Sequence, residues 1–230
     1  MTRLVQLIAP AGLALAALTA LPAQAQVEGR MATVDTTGAI ISTNAFQTSF
    51  EQVSTTYAQQ TELLRTKAQE RQTILAKFDK NGDKQVDEAE NEAMQKSADY
   101  PKLQTLDQEM QGLTAQIEGA RIFAVEQIAG QLNAALQDVV NTQQIKMVID
   151  PNTLIYAPPE ADITQQVVTA LNAKVPAVGI VPPSGWKPSR DGLQIYQEIQ
   201  QRLTILAQIA RQQQAAQQQQ QGNPAAPVGR

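Results

Sequence analysis

The feature that most limits how this chain can fold is a 4-3 spacing of apolar and semi-apolar residues running from Phe46 to Phe78 through Phe50, Val53, Tyr57, Gln60, Leu64, Lys67, Arg71 and Ile74. A seven-residue repeat of this kind marks a helix that lays one seam against another helix. At 1.5 Å per residue the stretch is roughly 50 Å long, more than the core helix of a compact domain needs, so it should project from whatever globular part exists. A second periodic stretch carries Leu103, Leu106, Met110, Leu113 and Ile117, then Ile122, Val125, Ile128, Leu132, Leu136 and Val139. Pro101 stands at its start, where a missing N–H is harmless. Two helices of similar length separated by a turn-forming segment pack most simply as an antiparallel hairpin. The seam turns polar toward residues 79–100, and the bulky apolar residues gather near the base. An arm that is firm at its root and loose at its tip is the expectation.

The segments that flank this arm are β-prone but sparse. Met31-Ala32-Thr33-Val34-Asp35 reads as one strand ending in a turn. After the arm, Lys146 to Asp150 and Thr153 to Ala157 read as two strands joined at Pro151-Asn152, a hairpin whose turn does not match the favoured primed types. Pro158-Pro159 stops the second run. Asp162 or Thr164 can cap a short amphipathic helix with Ile163, Val167 and Leu171 on one face. A Pro/Gly-rich linker is expected over residues 175–190, with Trp186 as a packing residue, and then a helix over 191–211. That helix carries Leu193, Tyr196, Ile199, Leu203, Leu206 and Ala210 on one face, expected to pack on its own assembly. Residues 212–230 form a Gln-rich tail with no burial capacity, expected to be disordered.

The N-terminus carries Arg3, an apolar run from Leu7 to Leu21 broken by Pro10, and Ala23-Gln24-Ala25, an A-x-A cleavage pattern. This reads as a signal peptide over residues 1–25, removed on export, with no later segment apolar enough to span a bilayer. With no cysteine, disulfides cannot stabilise the exported chain. With no histidine, the usual general base and commonest neutral metal ligand are missing, which argues against an enzyme. A net charge of -4 and a pI near 5.0, without a Lys/Arg block, leave nucleic acid no electrostatic footprint. Aromatics at 4% are too few for one large core but suit helical arms.

The order of elements resembles the Skp/OmpH family of periplasmic chaperones: strand Ala32-Thr33-Val34-Asp35, long hairpin, Met147-Val148-Ile149-Asp150-Pro151-Asn152, Leu154-Ile155-Tyr156-Ala157, then Asp162-Ile163-Thr164 and Val168-Thr169-Ala170-Leu171-Asn172. The likeness covers roughly residues 30–174 and is most specific from Val148 to Asn172. It implies an α+β fold, predominantly α, in which a long antiparallel helical hairpin hangs as a coiled-coil arm from a small β body formed by trimerisation. On that reading residues 26–174 form the family domain, with the arm at about 45–141, its tip at 79–100, and the body at 30–44 and 142–174. The resemblance further implies an ATP-independent holdase, a homotrimer in the periplasm, whose partners are unfolded outer-membrane or envelope proteins. No nucleotide-binding P-loop occurs, which agrees with holding without turnover. The family's arms are often strongly basic. Here Lys67, Arg71, Lys77 and Lys102 are instead interleaved with Glu62, Glu70, Asp99 and other acids, which argues against electrostatic capture of clients.

At the arm tip, residues 79–90 follow an EF-hand loop. Asp79, Asn81, Asp83, Asp87 and Glu90 occupy its positions 1, 3, 5, 9 and 12, and Gln85 is placed to offer its backbone carbonyl. Calcium takes six to eight oxygens, and a terminal bidentate Glu closes its shell. The sixth position, ordinarily Gly, is Lys84, which should weaken binding but need not abolish it. Ca²⁺ is therefore the candidate cofactor, and a metal-free polar turn the competing reading. A calcium-binding structural or adaptor coiled coil of the envelope is the alternative function. It would bind one folded partner rather than many unfolded ones.

Overall fold

The computed structural model describes residues 29–221; the expected signal peptide and the last residues of the tail lie outside them. The chain is mostly helical with one small sheet. Strand β1 (Arg30–Thr33) leads to Asp35, whose side chain accepts a hydrogen bond from the Gly38 N–H at 2.8 Å and so caps helix α1 (Thr36–Ile41). Thr43 caps α2 (Asn44–Thr56) in the same way, accepting from the Phe46 N–H at 3.1 Å. After a break at Tyr57 come α3 (Ala58–Leu75), the tip loop and α4 (Glu88–Gln95). Helix α5 (Tyr100–Ala129) returns to the body, with Pro101 in its first turn as expected, and α6 (Leu132–Thr142) follows a break at Gly130-Gln131. Strand β2 (Ile145–Ile149), α7 (Thr164–Lys174) and α8 (Arg190–Gln221) complete the chain.

The two strands pair in parallel, Ala32 opposite Val148 and Thr33 opposite Ile149. Parallel neighbours need a long crossover, and here the whole arm is that connection. One face of the pair is covered by α6 and α7, which bury Ala32, Val34, Ala135, Val139, Ile163, Val167 and Leu171 together. A Lys174–Asp138 ion pair at 2.7 Å joins the two helices at the rim. A second core forms where the arm meets the body: Ile40, Phe46, Ile122, Val125 and Ile128 pack with Val175, Tyr196 and Ile199.

Three expectations are corrected. Residues 153–157 are not a strand, and there is no hairpin with β2. A 3-10 turn (Pro151–Thr153) follows Asp150, whose carboxylate accepts from the Asn152 N–H at 2.8 Å, and Ile155 and Tyr156 stand exposed. The cause is Pro151: its φ is fixed near −65°, whereas the primed hairpin turns need positive φ at their first central residue. The chain instead returns to the other side of β1, where the Ile163 N–H donates to the Thr33 carbonyl at 2.9 Å.

The second correction concerns residues 175–190, which are not a free linker. They form an extended strap seated on α5, with Trp186 edge-to-face on Phe123 at 5.4 Å between ring centroids. The third is that α8 continues to Gln221 rather than ending at Arg211, since a Gln/Ala run can propagate a helix already nucleated by packing. Its proximal half packs on α5 and α1 through Tyr196 and Ile199, and Arg202 pairs with Asp35. Leu206, expected on the packed face, is exposed.

Ile128 lies fully buried where α5 meets the helices of the body and α8. Its replacement by Ala is expected to destabilise the fold by about 2–5 kcal/mol, read from chemical denaturation followed by helical circular dichroism.

Candidate functional site: the arm and its tip

The arm is built from α2 and α3 on one side and α5 on the other, running antiparallel. The repeat places its seam as expected: Gln60, Leu64, Lys67 and Arg71 are half-buried and Val53 and Ile74 buried. Along this seam the chemistry changes twice. At the root Val53, Ile117 and Ala120 form an apolar cluster with Tyr57 and Ile180. Further out, four ion pairs cross the arm: Lys67–Glu109 at 2.6 Å, Arg71–Asp107 at 2.6 Å, Glu70–Lys102 at 2.5 Å and Lys77–Asp99 at 2.8 Å. The series runs from Lys67–Glu109 nearest the root to Lys77–Asp99 nearest the tip, as an antiparallel arm requires. These charges were visible in the sequence as an interleaved mixture, but their pairing across the arm was not.

Between the Arg71–Asp107 and Lys77–Asp99 pairs the seam turns apolar again, which corrects the expectation of a loose tip. Ile74, Leu103 and Leu106 are buried with Leu75, Phe78 and Met94 around them. Met94 reaches this cluster because the tip contains a helix rather than only a turn. The missed signal was the capping box: the Glu90 N–H donates to Asp87 Oδ1 at 2.8 Å while the Asp87 N–H donates to Glu90 Oε2 at 3.2 Å, and this starts α4.

Each candidate metal ligand can now be placed. Asp79 accepts from the N–H groups of Gly82 and Lys84, at 2.7 and 3.0 Å. Asn81 Oδ1 accepts from the Asp83 N–H at 2.9 Å, and Asp83 Oδ1 from the Gln85 N–H at 2.7 Å. Glu90 is almost fully buried, its Oε1 accepting from the Lys80 N–H at 2.8 Å, while Gln85 is exposed. Lys84 has φ +63°, so the sixth position takes the left-handed turn that favours Gly. The acids thus face backbone donors rather than one another. Among the described residues, no three His, Cys, Asp or Glu groups converge to hold a metal ion.

An arm on an incomplete parallel sheet is what the family comparison bears on. Residues 30–171 match the family model described as outer membrane protein (OmpH-like). The chain belongs to the OmpH-like family. The match takes in β1, the entire arm, β2 and nearly all of α7, and it ends before the strap and α8. No curated protein matches the sequence. Among solved structures the chain is similar to a proposed outer membrane chaperone (OmpH-like) from Caulobacter crescentus. The two share 18% identity over 70% of this chain and 95% of that one, with a TM-score of 0.39, too loose a superposition to argue from. Among the described residues of this OmpH-like chain, no helix is long and apolar enough to cross a membrane.

The cross-arm charges respond to solution conditions in a definite direction. The Lys102 ammonium, hydrogen-bonded to Glu70, holds the Glu70 carboxyl below the usual carboxylate range, and Glu70 in turn raises Lys102 above the usual lysine range. A depressed carboxyl stabilises above its ordinary pKa and loses that contribution as pH falls through the folded value. A raised lysine is stabilising below its ordinary pKa and fades as pH rises through its folded one. Because these side chains are solvent-exposed, salt also screens them. Amide hydrogen exchange should therefore quicken in the charged stretch of α3 and α5 at about 1 M salt or about pH 3, while amides around Ile74 and Leu103 stay protected.

Proposed function

We propose that this chain is an ATP-independent periplasmic holdase, assembled as a homotrimer, that keeps unfolded outer-membrane or envelope proteins from aggregating. The reading is carried by the match of residues 30–171 to the OmpH-like family, over a segment that folds as one arm on a sheet too small to stand alone. Helices cover one face of the two strands, but an unpaired strand edge invites pairing with another chain. Exposed Met31, Met147, Ile155 and Tyr156 around that sheet support a role for it in assembly. The N-terminal signal features support export to the periplasm. The processed chain is expected to have about three times its own mass in solution and to suppress aggregation of several unrelated membrane proteins diluted from urea. A stable monomer, or protection of a single folded partner, would overturn the reading.

A second proposal concerns the tip. The loop of Asp79, Asn81, Asp83, Gln85, Asp87 and Glu90 takes up Ca²⁺, the carboxylates of Asp79, Asp83 and Glu90 turning from backbone donors toward the ion. The ligand spacing and the left-handed φ of Lys84 support it; the lack of converging acids means that binding must reorganise the loop. Calorimetric titration with calcium should give heat for the processed chain and none for Glu90→Gln. No heat from the unsubstituted chain would end the proposal.

A further inference from the structure

The strap from Val175 to Pro188 has neither helix nor strand, yet it follows the surface of α5. Its hold is shallow. After Val175 no strap residue is buried; Val178, Ile180, Pro182, Trp186 and Pro188 are half-buried, and Val181 is exposed. One side chain reads its backbone: Gln127 Nε2 donates to the Gly179 carbonyl at 2.8 Å, and the Gly179 N–H donates to Gln127 Oε1 at 3.1 Å. At the strap's end, the Ser189 N–H and hydroxyl both donate to Glu126 Oε1, at 2.7 and 2.6 Å. A segment held by so few buried contacts sits at the low end of local stability. Beneath it the arm root offers a shallow apolar groove, in which Ile180 meets Val53, Tyr57, Ile117 and Ala120, and Trp186 meets Phe123.

What occupies this surface indicates what it can bind. The occupant is an extended Val/Ile/Pro/Trp segment. Gln127 contacts its peptide group, a feature every chain shares, and the groove accepts apolar side chains without a directional contact. Gly179 is not required by shape, since a Cβ there would meet Phe123 and Gln127 at 3.6 and 3.8 Å, ordinary contact distances. We propose that the arm-root groove is a binding surface for an extended apolar segment of an unfolded client, filled in the structure by the chain's own strap, so that strap and client compete. This rests on the holdase reading. The strap is anchored at both ends, by Val175 and by Tyr196 and Ile199, all buried in the second core. Once displaced it remains a tethered loop at a local concentration of roughly millimolar, so only segments that bind better than the strap stay bound.

Trp186 is the chain's sole tryptophan and hence its own reporter. The probe is a labelled peptide of alternating apolar and polar residues without Trp or Tyr. It is added to the processed full chain, to a form with residues 176–188 replaced by Gly/Ser of equal length, and to Trp186→Ala. Trp186 emission of the full chain should shift to the red and saturate over the same concentrations as the peptide's anisotropy. Both variants should bind more tightly, the replaced strap by roughly tenfold. Trp186→Ala alters one half-buried side chain of the strap and guards against misfolding of the larger replacement. Peptide binding that leaves Trp186 emission and both variants' affinities unchanged would overturn the groove as the site. So would an unbound peptide while a urea-unfolded β-barrel protein is still held, and in that case the holdase reading survives. Failure of all three forms to hold the unfolded barrel would overturn the holdase reading and the groove with it.

Discussion

The packing of Val125 and Ile128 on α5 is the constraint on which the rest depends. Both are fully buried, and four segments far apart in the chain share their core: α1 through Ile40, the arm's first helix through Phe46, the strap through Val175 and α8 through Ile199. A helix that must satisfy neighbours on all sides at one end, and only a single neighbour along the arm, is anchored like a beam set in a wall. Interiors are close-packed and barely compressible, so the angle at which the arm leaves the body is set by this joint. The burial of Tyr196 beside Arg121 belongs to the same joint: loss of solvent raises the phenol above its ordinary pKa, against the opposing pull of the guanidinium.

The body contrasts with that joint. Its sheet has two strands, and α6 and α7 cover one face, while the surroundings of the strands remain rich in exposed apolar side chains. Asp35 holds the junction together locally, since it caps α1, donates its backbone N–H to the Thr164 hydroxyl oxygen at 3.0 Å, and pairs with Arg202. Helices α1, α7 and α8 therefore all meet one residue at the point where β1 ends, two of them at its carboxylate and α7 at its backbone N–H. The body is tied by polar groups at its rim, and the arm root by apolar contact.

Much of the arm was legible in sequence because its determinants are local and periodic. The seam through Val53, Gln60, Leu64 and Ile74 follows directly from the heptad spacing, and Pro101 marks where the return helix starts. What was not legible depends on pairings between distant residues. The parallel union of Ala32 with Val148 has no local signature, and two β-prone runs close together suggest a hairpin until Pro151 is weighed. Residues 175–190 have a linker's composition, and only Phe123 and Gln127, far back in the chain, make them a strap. The tip cluster escaped for a related reason: Phe78 and Met94 lie on opposite sides of a polar loop, and nothing in their spacing reveals that they meet. The loop residues themselves were located by motif, and Lys84 adopts the left-handed turn the motif demands, but the side chains satisfy backbone donors instead of converging.

The apolar cluster at the far end has a mechanical consequence. With apolar clusters at both ends and a half-buried stretch of Gln60, Leu64 and ion pairs between them, the two halves of the arm are held least firmly in the middle and do not part at the end. Such a limb works as a closed handle, not as a pair of tweezers. Anything that moves from one side of the arm to the other must pass around its outer end, because no gap opens between two free fingers.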